Sequence, residues 1–84
     1  MVSDGVSPVE LIGAKIKRLR QERKIVQDRL AIEAGVDQSS LSKFERGVDQ
    51  GLGPIPLGRI AKVLGLTLEE LTAGTDWSVN RQRK

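Results

Sequence analysis

The chain has 84 residues, one domain's worth, with no cysteine and no histidine, and is 38% hydrophobic and 30% charged. That excludes disulfides and thiolate zinc sites, and it removes the commonest general base, the commonest metal ligand and the Ser–His triad together. The formal charge of +3 at pH 7 comes wholly from Arg81, Arg83 and Lys84. Within the body, the six cations of Lys15 to Lys24 face one anion, Glu22, while Glu69, Glu70 and Asp76 make the other end acidic. Such polarity can orient a protein toward a polyanion, or it can be a solvated helix face; charge alone does not choose. Phe44 and Trp77 are the only aromatics, so the core must be built from Leu, Ile, Val and Ala, and a dimer interface would help so short a chain. No apolar run approaches the roughly 20 residues of a membrane span, and MVSDGVSPVE lacks a signal-peptide core. A cytoplasmic protein is expected.

Residues 1–7 read as a flexible N-terminal segment. Ser7-Pro8-Val9-Glu10 has the form of a capping box with proline at the first helical position. Ile12, Ile16 and Leu19 then recur on one stripe, which predicts a first helix from Pro8 to Arg23. Arg20 falls at the edge of that stripe. After the connection Lys24-Ile25-Val26, a second helix is expected over Gln27 to Ala34, with Leu30, Ala31 and Ala34 inward. Gly35 suits the left-handed residue that ends a helix.

Asp37 is a good N-cap for a third helix from Gln38 to about Arg46, with Leu41 and Phe44 inward and Gly47 ending it. Val48 to Pro54 reads as a glycine-rich loop. Pro56 is expected to open a fourth helix with Leu57, Ile60, Ala61 and Leu64 inward. Thr67-Leu68-Glu69-Glu70 is a second capping box, opening a fifth helix through Leu71. After Gly74 the tail shows no period and is expected to fray. The domain is thus placed at 8–74 and a basic tail at 75–84.

The outward face of the third helix carries Gln38, Ser39, Ser42 and Lys43. The whole order resembles one family: Gln27-x-x-Leu30-Ala31, Ala34-Gly35-Val36, Leu41-Ser42-Lys43-Phe44-Glu45-Arg46-Gly47, a proline in the loop, then Leu57-x-x-Ile60-Ala61-x-x-Leu64-Gly65. This is similar to the Cro/C1-type helix-turn-helix family of lambdoid phage repressor-like and XRE-like regulators, over roughly residues 11–74. The resemblance implies an all-α, five-helix lambda-repressor-like domain with helices two and three as the helix-turn-helix. It implies a homodimer on palindromic double-stranded DNA, with base contacts from Gln38, Ser39, Ser42 and Lys43. Gln27 and Arg46 match phosphate-contacting positions, and Arg20 and Glu45 match an internal ion pair bracing helix three on helix one. Residue chemistry is compatible. A major groove of about 12 Å admits one helix, glutamine can pair with adenine and lysine with guanine, and cations and helix N-termini suit phosphates.

Three positions depart from the family pattern. Val26 stands where a Ser or Thr N-cap is usual. Ile32 stands where a polar residue is usual, either as plain surface or as part of a partner patch. The loop Val48 to Gly53 lacks Lys and Arg. The tail Arg81 to Lys84 can add electrostatic affinity or be inert. The Arg20–Glu45 pair can be a buried brace or a loose surface pair. Dimerisation is expected through helix five and Leu66, Leu68, Leu71 and Trp77, with Trp77 as a core cover the alternative. The leading reading is a stand-alone transcriptional repressor of bacterial or phage origin. The alternative is an antitoxin or other protein-interaction module binding a toxin or co-regulator. No cofactor or metal is expected: Asp28, Glu33 and Asp49 show no ligand spacing, and Ser39-Ser40 lacks a base, which argues against an enzyme.

Overall fold

The computed structural model describes residues 10–48 and 52–77. Five helices follow in chain order: α1 (Ile12–Glu22), α2 (Gln27–Ala34), α3 (Gln38–Glu45), α4 (Pro54–Val63) and α5 (Leu68–Thr72). Ile12, Ile16, Leu30, Leu41, Phe44, Leu57, Ile60 and Leu71 are sealed from solvent and form one core. Each helix contributes a stripe at helical spacing, and the stripes converge because burial of these aliphatic faces is the main favourable term available to the chain. α2 packs chiefly on α4, α1 on α3 and α5, and α3 on α2. The buried alanines Ala31, Ala34 and Ala61 lie on the two helices, α2 and α4, that pack on each other.

Helix ends follow the local chemistry. Asp37 Oδ2 accepts from Ser40 N–H at 3.1 Å, capping α3. Thr67 and Glu70 form the reciprocal capping box of α5, at 2.9 and 3.0 Å. α1, α2, α3 and α4 each close with a paired turn, as in Ile25 N–H to Arg20 O (3.0 Å) with Lys24 N–H to Gln21 O (3.0 Å), the Schellman arrangement. It needs a residue at positive φ. Gly35, Gly47 and Gly65 supply it after α2, α3 and α4, but after α1 the residue is Lys24, at φ 59°.

Two boundaries differ from those expected. α1 starts at Ile12, four residues later than Pro8, because Glu10 is drawn away into a parallel bridge with Thr75. Glu10 N–H donates to Gly74 O (3.2 Å) and Asp76 N–H to Glu10 O (3.1 Å). Leu11 takes the N-cap position without a side-chain cap; Asp76 Oδ1, 64 positions away, accepts from Ile12 N–H at 2.9 Å instead. Ser7, Pro8 and Val9 of the expected capping box lie outside the described residues. α4 starts at Pro54, one proline earlier than Pro56, since either ring can occupy the first helical turn.

The same bridge corrects the expected domain limit at Gly74. Thr75 is fully buried, its hydroxyl donates to Thr72 O at 2.6 Å, and Trp77 packs partly buried on the core, so residues 75–77 belong to the packed domain. The basic positions Arg81, Arg83 and Lys84 lie outside the described residues. Leu71 is fully buried in the monomer's own core and is unavailable to a dimer partner; Leu66, Leu68 and Trp77 are half-buried against that core.

Candidate nucleic-acid interface

α2, the three residues Gly35 to Asp37 and α3 form a helix-turn-helix. Leu41, Phe44 and Glu45 are buried, whereas Gln38, Ser39 and Lys43 are exposed and Ser42 half-buried. At about 100° per residue, Gln38, Ser42, Ser39 and Lys43 fall within an arc of roughly 140°. The side chains of Ser39, Ser42 and Lys43 make no hydrogen bond or ion pair among the described residues.

Glu45 lies between that arc and the core, and a chain of polar contacts runs through it. Arg20 grips its carboxylate with both prongs of the guanidinium, Nε to Oε2 at 2.9 Å and Nη2 to Oε1 at 3.0 Å. The Arg20 side chain is 10% exposed and that of Glu45 1%, so the buried brace is what the geometry forms. Arg20 Nη1 also donates to Ile25 O at 2.9 Å, which fixes the α1–α2 connection. Gln27 Nε2 donates to the same Glu45 Oε1 at 3.1 Å, and Gln38 Nε2 approaches Gln27 Oε1 at 3.5 Å. One buried ion pair thereby orients the first side chains of both α2 and α3. Buried pairs contribute little net stability and are costly to break, so geometry is the clearer benefit here.

Val26 precedes α2 without a side-chain cap, leaving the free N–H groups of that helix end open to an external acceptor. Arg46 is exposed at the other end of α3, with Nε donating to Ser42 O at 3.3 Å.

The cationic run of α1 has a different destination from the one its density suggests. Lys15 Nζ donates to Glu70 O and Ala73 O, both at 2.9 Å, and Arg23 Nε to Leu64 O at 2.8 Å. Each cation thus closes the carbonyl end of another helix, where the helix dipole favours positive charge. Arg18 pairs with Glu10 and Glu22. Its hydrogen bond to Glu10, then that carboxylate's charge, hold the guanidinium proton more tightly than usual. In this run, only the side chains of Lys17 and Lys24 make no hydrogen bond or ion pair among the described residues. Sequence reasoning missed these internal uses, and it missed Asp76 as the cap of α1. No local pattern signals a cap donated across the fold.

Elsewhere, a shallow depression of about 430 Å³ at the start of α2 is lined by Lys24, Ile25, Val26, Arg29 and Glu33. Arg29 and Glu33 pair with each other across one helical turn. Among the described residues, no three His, Cys, Asp or Glu side chains come together as a metal site, and no helix is long and apolar enough to cross a membrane.

Fold and site together define a helix-turn-helix protein with an open polar face on its second motif helix. The helix-turn-helix family model matches residues 16–71, and the chain belongs to that family, of Cro/C1 type. It is 34% identical over 67 residues to an HTH-type transcriptional regulator, y4dJ, of Sinorhizobium fredii, covering 80% of this chain and 86% of y4dJ. Among solved structures it is similar to SinR of Bacillus subtilis. SinR in complex with DNA is 33% identical with a TM-score of 0.68, covering 73% of this chain and 97% of that one. The SinR–SinI protein complex also matches, at 28% identity and a TM-score of 0.68, covering 86% and 76%. The DNA-binding domain of the P22 C2 repressor is 28% identical with a TM-score of 0.72, covering 81% and 88%.

Proposed function

We propose that this helix-turn-helix regulator is a repressor that binds palindromic double-stranded DNA as a homodimer and reads it through helix 38–46. The observation that carries the reading is the arc from Gln38 to Lys43. It is polar, open and held on a buried brace, in a fold shared with a SinR domain solved on DNA. In this reading Gln38, Ser39, Ser42 and Lys43 meet base edges in the major groove. Gln27 and Arg46 hold the flanking phosphates, and the open N-terminus of α2 supplies backbone donors. Occupancy of a promoter is enough to repress. The protein acts in the cytoplasm and catalyses no reaction, in keeping with its regulator relatives.

Selection from a random duplex pool at near-physiological salt tests this. The expected result is a palindrome with half-sites about one helical turn apart, lost or relaxed in the Gln38→Ala/Lys43→Ala double variant. Salt-labile binding without an enriched motif, indifferent to those changes, would refute it.

A second reading has its own observation. Ile32, on α2, is 69% exposed. A protein partner, a toxin or co-regulator, docking there would make this chain an antitoxin or interaction module. SinR's complex with SinI shows that a protein of this similarity can take a protein partner. Ile32→Ser would then abolish co-purification of that partner while leaving DNA selection intact; unchanged co-purification removes the patch.

A further inference from the structure

At Gly13 the backbones of α1 and α3 approach so closely that no side chain fits between them. A Cβ at position 13 would stand 1.8 Å from the Phe44 carbonyl oxygen, 2.7 Å from its carbonyl carbon and 3.0 Å from the Glu45 Cα. All three are main-chain atoms, so no rotamer change on α3 relieves the clash; one helix has to move. Gly13 lies within α1 and outside the positive-φ set, so backbone freedom is not the reason for glycine. Alanine is the better helix former there, and position 13 holds the poorer one.

The contact falls at the end of α3 that carries two candidate DNA contacts. Phe44 O also accepts from Gly47 N–H at 3.1 Å, part of the turn that closes α3. Two turns further along α1, Arg20 holds the Glu45 carboxylate at 2.9 Å. α1 therefore seats residues 44–45 twice, once through bare backbone and once through a buried guanidinium. Lys43 and Arg46 flank those two residues and are exposed.

We propose that Gly13 is a positioning residue for sequence reading. The missing side chain sets how far the C-terminal half of α3 stands from α1, and hence the depth and tilt at which Ser42 and Lys43 enter a groove. Gly13 is buried and touches no base itself. The inference rests on α3 being the groove helix.

The test compares wild type, Gly13→Ala and Ile16→Val. The last trims the core on the same helix without pushing on α3. Affinity for the selected duplex and for a scrambled duplex is measured by fluorescence anisotropy at several salt concentrations, with a thermal melt beside each. Gly13→Ala is expected to lower the specific-to-scrambled ratio about tenfold or more, the size of one lost base contact, with scrambled-duplex affinity nearly unchanged. Ile16→Val is expected to keep the ratio. Where Gly13→Ala is partly unfolded in buffer, the comparison is made in sucrose, which favours the compact state. A folded Gly13→Ala protein with the wild-type ratio overturns the proposal. So does an equal fall in Ile16→Val, or a Gly13→Ala chain that stays unfolded in sucrose, since Gly13 would then serve the fold alone. Failure of the groove reading is recognised separately, by wild type selecting no motif.

Discussion

Two helices, α1 and α3, carry polar faces that look equally suited to an external partner, and they are used in opposite ways. On α1 and at its C-cap, Lys15 and Arg23 close the carbonyl ends of α5 and α4, Arg20 is buried on Glu45, and Arg18 is paired. On α3, Ser39, Ser42 and Lys43 point outward with no partner among the described residues. The denser charge belongs to the helix that is mostly structural, and the more modest set of donors to the helix proposed to read DNA. In this fold, charge density along the chain does not show which polar groups stay open after folding, because most cations of the α1 run have internal partners.

Variants on the two helices should separate cleanly. The largest effect is expected from Arg20→Ala, which strands the buried Glu45 carboxylate. Stability should fall by about 3–5 kcal/mol, read as a lower urea midpoint at unchanged slope. Replacing both partners, Arg20→Met with Glu45→Leu, should restore most of that stability without restoring specific DNA binding.

Lys43→Ala is the counterpart on α3. Specific affinity should drop by about 1–3 kcal/mol if the side chain makes a bidentate base contact. The melt should stay within about 0.5 kcal/mol of wild type. If that variant melts early instead, α3's face is structural too and the contrast with α1 disappears.

Asp76→Ala should cost about 1 kcal/mol, the value of a typical helix cap, and lower the midpoint of thermal unfolding by roughly 4–8 °C. The smallest effect is a gain. Lys24→Gly relieves roughly 1–2 kcal/mol of left-handed strain, less roughly 0.5–1 kcal/mol of glycine entropy, for a net of about 0.5 kcal/mol by differential melting. A simultaneous loss of affinity for scrambled DNA would add Lys24 to the interface and blur the division between the two helices.

What the sequence made legible is what repeats at helical spacing. Leu30, Leu41, Phe44, Leu57, Ile60 and Leu64 are expected inward from their period alone, and all are buried. Asp37 and Thr67 signal helix starts through chemistry that acts within three residues, and both caps form. Apart from the choice between Pro54 and Pro56, the misses are long-range. Ser7-Pro8-Val9-Glu10 obeys a local rule, but Glu10 bridges to Thr75 instead. Residues 75–77 have no period because much of their order comes from partners more than 60 positions away, Glu10 for Thr75 and Asp76 and Ile12 for Asp76. Leu71 looks like interface material by composition and is core by position. Gly13 did carry a signal, a glycine inside a helical stripe, but the atoms that explain it, Phe44 O and Glu45 Cα, meet it only in the folded chain.

The joining of Glu10 to residues 74–76 has a kinetic consequence. Helical domains fold fast because most of their contacts are local, whereas this seam spans 64 positions and is expected to close after the helices between have assembled. Interactions absent from the transition state act on the rate of escape from the native state rather than on the rate of arrival. Asp76→Ala is therefore expected to steepen the decay in unfolding jumps while refolding jumps overlay those of wild type, so that this short seam acts as a latch on the lifetime of the folded protein.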